Sequence, residues 1–476
     1  MGRYRRSIGL MSLLYRKKSK VRSPVAYRNN ELIKFTLSLI LASLSVNLML
    51  VTDRTILGLY SLDSMNASSL GGNFVATVSF IFTSIAQIAT VFVGQFNGIK
   101  EYDKTARAPW QMIYLGLISF LFFIPVAIFC DCFNLFPEYL EQEGLIYTRI
   151  LLTFSGFHVI SVALSSFFIG RKQSYIVIFT FLIGNIINAI LDYVLVFGIK
   201  GIFDPMGAKG AAIATVIVGF VFNLIFASVF FNKNNREECN TLDYKFRSSL
   251  FWDCLKIGFP ISLGKFFNLL GWFCIMTCFI NTSKDLATLE SFIMGIWMAF
   301  IFFADGTSKA ISALAANLIG ERQLEVIQNL LRKFLTANYI LCTVYSIPLV
   351  FFPEIMVSFL DKAEGEIYHL IPDIHFTLIS LFVILLTDGT FYLYCGVLTS
   401  GGDTKFPTYL ETATLWGLVV IPVAVMYWTN SLVSIRPAYV LIPISGIINC
   451  GIVYIRYKKL LWYKQLVTKD TENQLI

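Results

Sequence analysis

The sequence predicts an all-α polytopic membrane protein, with about 12 transmembrane helices in two pseudo-symmetric six-helix lobes. Three observations carry that expectation. Of 476 residues, 56% are hydrophobic and only 14% charged, with a mean hydropathy of +0.68, whereas soluble domains are usually about 25% charged. About twelve apolar stretches of spanning length run from Leu32 to Ile455, and a helix needs roughly 20 mainly apolar residues to cross the hydrocarbon core. The longest polar stretch between them, Asn232 to Leu250, falls in the middle and leaves six spans on either side, as an internal two-fold repeat would.

In chain order, residues 1–31 read as a basic cytoplasmic tail. Arg3, Arg5, Arg6, Arg16, Lys17, Lys18, Lys20, Arg22 and Arg28 precede the first span with no acid among them. The apolar run Ile8 to Leu14 is short and no small-residue cleavage site follows, so it does not read as a signal peptide. The amino lobe, 32–231, holds spans at 33–60, 69–95, 110–131, 147–169, 174–198 and 208–231. A cytoplasmic inter-lobe linker, 232–250, follows. The carboxy lobe, 251–456, holds spans at 252–280, 286–316, 331–353, 369–399, 408–428 and 432–455, and 457–476 closes the chain as a second cytoplasmic tail. Local echoes fit a repeat. Span two ends Val93-Gly-Gln-Phe-Asn-Gly-Ile-Lys100 and span eight ends Ala316-Asn-Leu-Ile-Gly-Glu-Arg322, each before a charged loop. Asp53 in span one and Asn268 in span seven stand about two-thirds of the way along.

The formal charge of +8 does not point to nucleic acid, because the bases alternate by loop. Lys100, Lys104 and Arg107 lie in one loop, Arg171 and Lys172 in another, and Lys233, Arg236, Lys245 and Arg247 in a third. Arg322, Arg332 and Lys333 follow, and Arg456, Lys458 and Lys459 close the last span, while Asp131 to Glu143 carries only acids. This positive-inside pattern places both termini in the cytoplasm. The nine Cys show no metal spacing and read as packing residues. Two sequons, at Asn66 and Asn281, are expected in outside loops. There is no Walker A loop, no zincin motif and no Gly-x-Ser-x-Gly, and His158, His369 and His375 are the only His. Enzymatic function is not expected.

Polar residues inside the spans are the candidate functional groups, since a charge at the bilayer centre costs about 2.5–3.5 kcal/mol on insertion scales. In span five, Asn185, Asn188 and Asp192 are spaced i, i+3, i+7 and stack on one helical face. In span six, Ala211 and Thr215 are one turn apart. A carboxylate, an amide oxygen and a hydroxyl are hard donors that suit a small cation such as Na⁺. A carboxylate alone could carry a proton, and Asn and Thr also serve as interhelical glue. The spacing leaves all three readings open. In span seven, Lys265 and Asn268 share a face, with Asp388 of span ten as the expected partner of Lys265. Asp305 and Lys309 form an i, i+4 pair that reads as structural. Glu290 and Glu411 lie near span ends and read as solvated. Pro125, Pro260, Pro348, Pro422 and Pro443 fall in or near spans, where they can kink helices.

Four blocks carry a family resemblance: Val51-Thr-Asp53-Arg-Thr; Gly184 to Asp192 followed by Gly210-Ala-Ala-Ile-Ala-Thr215; Ile257-Gly-Phe-Pro260; and Asp388 through Gly396 to Thr404. In their order and spacing the chain after residue 30 resembles the multidrug and toxic compound extrusion (MATE) family of the MOP flippase superfamily. The resemblance implies two six-helix lobes around a central cavity and cation-coupled antiport by alternating access. It also implies a cation-coupling set at Asp53, Asn188, Asp192 and Thr215, with the carbonyl of Ala211 as a further ligand, so that Na⁺ or H⁺ binds there. The NorM-type branch uses a Glu in helix seven and an Asp in helix ten. Asp388 matches the Asp, but Asn268 stands at the Glu position, and Lys265 adds positive charge one turn earlier. That favours coupling in the amino lobe and leaves Lys265, Asn268 and Asp388 as a carboxy-lobe cavity. Span one lacks the Pro that bends helix one in some archaeal members.

The expected function is a secondary antiporter that exports small, cationic and amphipathic organic compounds in exchange for Na⁺ or H⁺. The alternative is a flippase of related fold for a lipid-linked precursor or a polysaccharide. The expected partners are the lipid bilayer, a small-molecule substrate and the coupling cation, with no nucleic acid and no cofactor beyond that ion. A monomer in the cell membrane, multi-pass, is expected.

Overall fold

The computed structural model describes residues 29–463 apart from 134, 137, 354–369 and 461. The basic tail before Asn29, His369 and most of 457–476 lie outside the described residues. The amino half holds α1 (Asn29–Tyr60), α2 (Leu62–Ala86), α3 (Ala89–Gly98), α4 (Arg107–Ile128), α5 (Glu141–Gly170), α6 (Ser174–Phe197) and α7 (Gly207–Phe230). A short α8 (Lys233–Cys239) leads to α9 (Ser248–Thr282), α10 (Lys284–Gly320), α11 (Leu324–Phe351) and α12 (Ile371–Ser400). Then come α13 (Lys405–Thr414), a π-helical segment (Leu415–Val420), α14 (Ile421–Trp428) and α15 (Arg436–Lys458). The described residues form no named strand, only one isolated bridge between Ile199 and Phe203.

α2 and α3 read as one span, and so do α13, the π segment and α14, which gives twelve. Ten of these are long and apolar enough to cross a membrane by length and composition; α1 and α10 complete the set through their packing. Pro125, Pro260, Pro348 and Pro443 are carried inside helices. Pro422 follows the π segment, where the change of hydrogen-bond pattern accommodates it. Two expectations are corrected. Asn66 is exposed but sits in α2, because Ser61 caps that helix by accepting from the Ser64 N–H and starts it earlier than the apolar run does. The last span begins at Arg436, with Pro437 in its first turn, four residues later than expected.

The two halves repeat one packing scheme. In each, the second span lies on the fourth (α2 on α5, α10 on α12), and the third also lies on the fourth (α4 on α5, α11 on α12). The fourth lies on the sixth (α5 on α7, α12 on α15). Between halves, α1 packs on α10 and α2 on α9, two contacts that a two-fold axis exchanges. Small residues permit this approach. A Cβ on Gly306 would come 2.6 Å from Ile40 Cα, and one on Gly258 2.8 Å from Ile85 Cα.

The axis passes where α3 meets the end of α10, which are the two sequence echoes. A Cβ on Gly98 would lie 2.0 Å from the Asn317 carbonyl oxygen, and one on Gly320 2.4 Å from that of Gln95. The side chains there form a symmetric latch between the lobes. Gln95 Nε2 donates to the Ser400 carbonyl at 2.8 Å, and Asn317 Nδ2 donates to the Gly170 carbonyl at 2.9 Å. Asn97 Nδ2 donates to Asn317 Oδ1 at 2.5 Å across the axis. Gln95 and Asn317 are fully buried. Their acceptors are last-turn helix carbonyls, which have no helical donor of their own.

The four helices that meet here end in one turn geometry. The N–H of Lys100 bonds to the carbonyl of Asn97 and that of Glu101 to Phe96. The same pair of bonds recurs as Lys172 to Ile169 with Gln173 to Phe168, Arg322 to Ile319 with Gln323 to Leu318, and Gly402 to Thr399 with Asp403 to Leu398. This is the Schellman arrangement. It places Lys100, Lys172, Arg322 and Gly402 at positive φ, at 64°, 63°, 60° and 82°. The bases of the alternating loops gather on this face. The linker is docked there too. Buried Gln111 of α4 accepts from the Arg247 N–H at 2.9 Å and donates to the Lys245 carbonyl at 3.1 Å, and Arg171 pairs with Glu238 at 2.8 Å. After α15, Trp462 is buried against Gly401 and stacks on Tyr457 with ring centroids 5.6 Å apart, so the described start of the last tail is packed.

Candidate functional site

α1, α6 and α7 bring Asp53, Asn188, Asp192 and Thr215 together. Asp53 is 3% exposed and Asn188 and Asp192 are fully buried. Thr215 Oγ1 donates to Asp53 Oδ2 at 3.3 Å. Asp192 and Asn188 are immediate side-chain neighbours of Asp53. Proximity does not satisfy them, however. Asp53 Oδ1, both oxygens of Asp192 and both polar atoms of Asn188 have no hydrogen-bond partner among the described residues. Two carboxylates are acceptors only, so they cannot bond to each other without a shared proton or an intervening cation. Ala211 is buried one turn before Thr215 on α7. Asn185 is only half-buried, above the set on α6. The donors present are hard oxygens, which fits either Na⁺ or a proton and does not suit a thiophilic metal. Among the described residues, no three His, Cys, Asp or Glu side chains form a metal cluster.

The local sequence explains the convergence. α6 and α7 are antiparallel neighbours, and α7 follows a short loop. Gly184 lets them close up, since a Cβ there would lie 1.9 Å from the Phe222 ring. That contact is one turn from Asn188 and fixes the α6 face turned to α7. Gly184→Leu is expected to push the two helices apart, lower stability by about 1–3 kcal/mol as overpacked cores do, and reduce transport; a melting temperature within error of wild type would show that α6 has room to shift. Sequence reasoning missed Tyr147. This buried α5 side chain counts both Asp53 and Asp192 among its charged neighbours. A Tyr near the start of an apolar span carries no distinguishing pattern, so no sequence signal singled it out.

The carboxy lobe differs from expectation at three points. Lys265 does not pair with Asp388. Asp388 Oδ2 accepts from Trp297 Nε1 at 3.0 Å and has Cys342 and Cys450 nearby, which places it inside the bundle of α10, α11, α12 and α15. α9 turns Lys265 the other way, toward Asp305, Lys309 and Glu411. Glu411 is not a solvated end residue, for it accepts from Asn268 Nδ2 at 2.9 Å. Glu290 is 1% exposed and accepts from the Tyr439 hydroxyl at 2.9 Å. Both partners lie far away in sequence, so proximity to a span end misled. The Asp305–Lys309 pair is formed at 2.5 Å, with Ser43 Oγ of α1 donating to the same Asp305 oxygen at 3.0 Å.

These groups outline a cavity between the lobes. Asp305 and Lys309 sit mid-helix in α10, yet their side chains are 41% and 30% exposed. His158, in the middle of α5 and a charged neighbour of Lys309 from the other lobe, is exposed as well. Polar side chains open to solvent at mid-span, facing each other across the lobes, mark a water-accessible interior. Counting 1.5 Å per residue from the helix ends on the latched face, Lys265 lies about 26 Å along α9 and Asp53 about 36 Å along α1. Both residues therefore lie well away from the latched face.

Comparisons with known proteins fit this geometry. The model of the family described as MatE matches residues 38–194 and 260–426. The chain is 24% identical over 426 residues to the probable multidrug resistance protein YoeA of Bacillus subtilis (strain 168), covering 84% of this chain and 89% of that protein. It is 24% identical over 401 residues to the probable multidrug resistance protein NorM of Thermotoga maritima, covering 81% and 83%. A solved structure described as an outward-facing conformation of a multidrug resistance MATE family transporter of the MOP superfamily superposes with a TM-score of 0.78, covering 92% of this chain and 97% of that one. At 15% identity this last likeness speaks for the fold.

Proposed function

This chain belongs to the MatE family of multi-pass membrane transporters, and from that premise we propose that it is a secondary antiporter which exports small, amphipathic, positively charged organic compounds in exchange for Na⁺ or H⁺. One observation carries the reading: two carboxylates and an amide are buried side by side in α1 and α6, and of their polar atoms only Asp53 Oδ2 has a hydrogen-bond partner among the described residues. Leaving such groups uncompensated in a membrane interior costs several kcal/mol per ion. A cation or proton bound between Asp53 and Asp192 removes that cost. Glu411, with the Phe80 ring of the other lobe near the same wall, gives the cavity its attraction for an amphipathic cation. Cation and substrate drive exchange if each prefers a different orientation of the lobes, because a ligand shifts an equilibrium only by its differential affinity. The latched face carries the bases and is assigned to the cytoplasm by the positive-inside rule. The protein then stands in the plasma membrane, as a monomer, with its cavity open outward.

A flippase for lipid-linked precursors is the weaker reading. It requires an array of free bases for phosphate, and Lys309 is neutralised by Asp305, leaving Lys265 as the one other deep base on this wall among the described residues. The test is ethidium transport in proteoliposomes with an imposed Na⁺ gradient, an imposed pH gradient, or neither. Ethidium movement is expected to follow one gradient and to stop when that gradient is collapsed. Equal rates in all three conditions would sink the antiport reading.

A further inference from the structure

On the rim of the latched face, apart from the inter-lobe cavity, α9, the start of α13 and the last turn of α15 enclose a space of about 520 Å³. Lys256, Lys405 and Arg456 line it, one base from each helix, with Asp403, Phe406 and Tyr409 between them. The space opens toward lipid. α9 meets the other lobe at Gly258, where a Cβ would lie 2.8 Å from Ile85 Cα. Lys256, two residues earlier, stands about 200° round the helix from that contact. It shares its face with Trp252 and Phe259, 56% and 54% exposed, and Tyr409, one turn after Lys405, is 59% exposed. Exposed aromatic rings beside bases at helix ends belong at a bilayer interface.

The three bases are held in place without being neutralised. Arg456 stacks on Phe406, its guanidinium carbon 4.6 Å from the ring centroid. Its only hydrogen bond among the described residues runs from Nε to Asp403 Oδ2 at 2.9 Å. Lys405 forms no ion pair among the described residues. Lys256 has only Asp253, at 4.0 Å, an exposed i, i+3 pair of the kind that contributes little. Three bases thus face two acids, and the space keeps a net positive charge. Thr404 sets the geometry, since its Oγ1 donates to the Ile257 carbonyl at 2.6 Å and ties the start of α13 to α9 beside Lys256. The amino lobe repeats this tie from Ser174 Oγ to the Phe35 carbonyl at 3.3 Å. There Lys34 precedes Phe35 as Lys256 precedes Ile257, but Tyr175 and Gln173 take the places of Lys405 and Asp403. The fold therefore does not require the cluster. Membrane topology does not require it either, because the positive-inside rule counts bases near span ends and is indifferent to their convergence on one space.

A single net positive charge made of two ammonium groups and a flat guanidinium with free N–H groups suits a phosphodiester monoanion. The ammonium groups bind it as point charges, and the guanidinium can bridge two of its oxygens. We propose that this space binds the headgroup of an anionic phospholipid, with Lys256, Lys405 and Arg456 on the phosphate and the acyl chains along the exposed α9 face of Phe259 and Leu263. None of these residues is assigned to the coupling ion or to the exported substrate, so the lipid site is independent of the antiporter reading.

Purified protein in a neutral detergent is titrated with short-chain phosphatidylglycerol, short-chain phosphatidylcholine or inorganic phosphate, and the melting temperature is followed, because a ligand of the folded state raises it. Phosphatidylglycerol is expected to raise it saturably, and the other two are not. The apparent affinity for phosphatidylglycerol is expected to fall about tenfold or more in Lys256→Gln/Lys405→Gln. It should hold in Lys34→Gln/Lys233→Gln, which removes two exposed bases from the same face of the amino lobe, and Lys256→Arg/Lys405→Arg should keep most of it. Equal losses in the two Gln pairs would reveal diffuse surface charge and overturn the proposal. Phosphatidylcholine acting as strongly as phosphatidylglycerol would also overturn it, and so would inorganic phosphate acting alone, which marks a site for a soluble anion. If Lys256→Gln/Lys405→Gln fails to fold, Lys405→Gln decides by itself, since that exposed side chain makes no ion pair. An affinity lower by about threefold or more supports the lipid site, and an unchanged affinity overturns it.

Discussion

Asp192→Asn is expected to slow gradient-driven ethidium efflux by about a hundredfold or more, the factor that corresponds to losing about 3 kcal/mol of interaction with a buried charge. The folded protein should not suffer. In the native chain both Asp192 oxygens lack donors and face Asp53. An asparagine brings an N–H₂ group that can donate to Asp53 Oδ1, so the melting temperature should stay level or rise. That combination, lost activity with retained or higher stability, is what a site strained for function shows. Near-normal efflux by the variant, measured at matched expression, would mean that the coupling ion binds elsewhere. A sharp fall in melting temperature would mean instead that the acid has a structural role.

Gln95→Leu combined with Asn317→Leu is expected to open the latched face. Each change removes an amide donor and leaves a buried helix-end carbonyl without a partner, at about 1–3 kcal/mol per site. Together they amount to about 2–6 kcal/mol, comparable to the few kcal/mol that separate two conformations of a transporter. Spin labels at exposed Asp103 and Lys405, one from each lobe on that face, report the outcome. Their distance distribution should broaden and move outward by several ångström in the double variant, and only partly in either single one. A distribution identical to that of the parent would show that the backbone contacts at Gly98 and Gly320 hold the face shut without the amides.

Much of this was legible in the sequence, for physical reasons that differ by element. The spans could be read because lipid demands unbroken apolar length, and their ends fell within seven residues of the observed helix ends. The stripe of Asn188 and Asp192 could be read because helical periodicity alone puts them on one face. The echo between Val93–Lys100 and Ala316–Arg322 was visible as a repeat, but what Gln95 and Asn317 hold was not. Their acceptors are main-chain carbonyls, and every residue has one. Glu290 and Glu411 were misread because burial near a span end depends on Tyr439 and Asn268, each more than a hundred residues away. Lys265 was read correctly as deep, but its partner was chosen by charge alone, and the rotation of α9 decided otherwise.

The four matching helix ends bear on how the chain enters the bilayer in the first place. A residue at positive φ after a helix is usually Gly, and other residues are strained there. Gly402 keeps to that preference, while Lys100, Lys172 and Arg322 do not. Glycine at those three turns would relax the backbone by about 1–2 kcal/mol each. It would also strip three bases from the loops whose charge decides which side of the membrane each hairpin stays on during insertion. The finished fold carries a small, permanent strain at three turns, and at each of them the strained residue is a base of the kind that biases which side of a membrane a loop stays on.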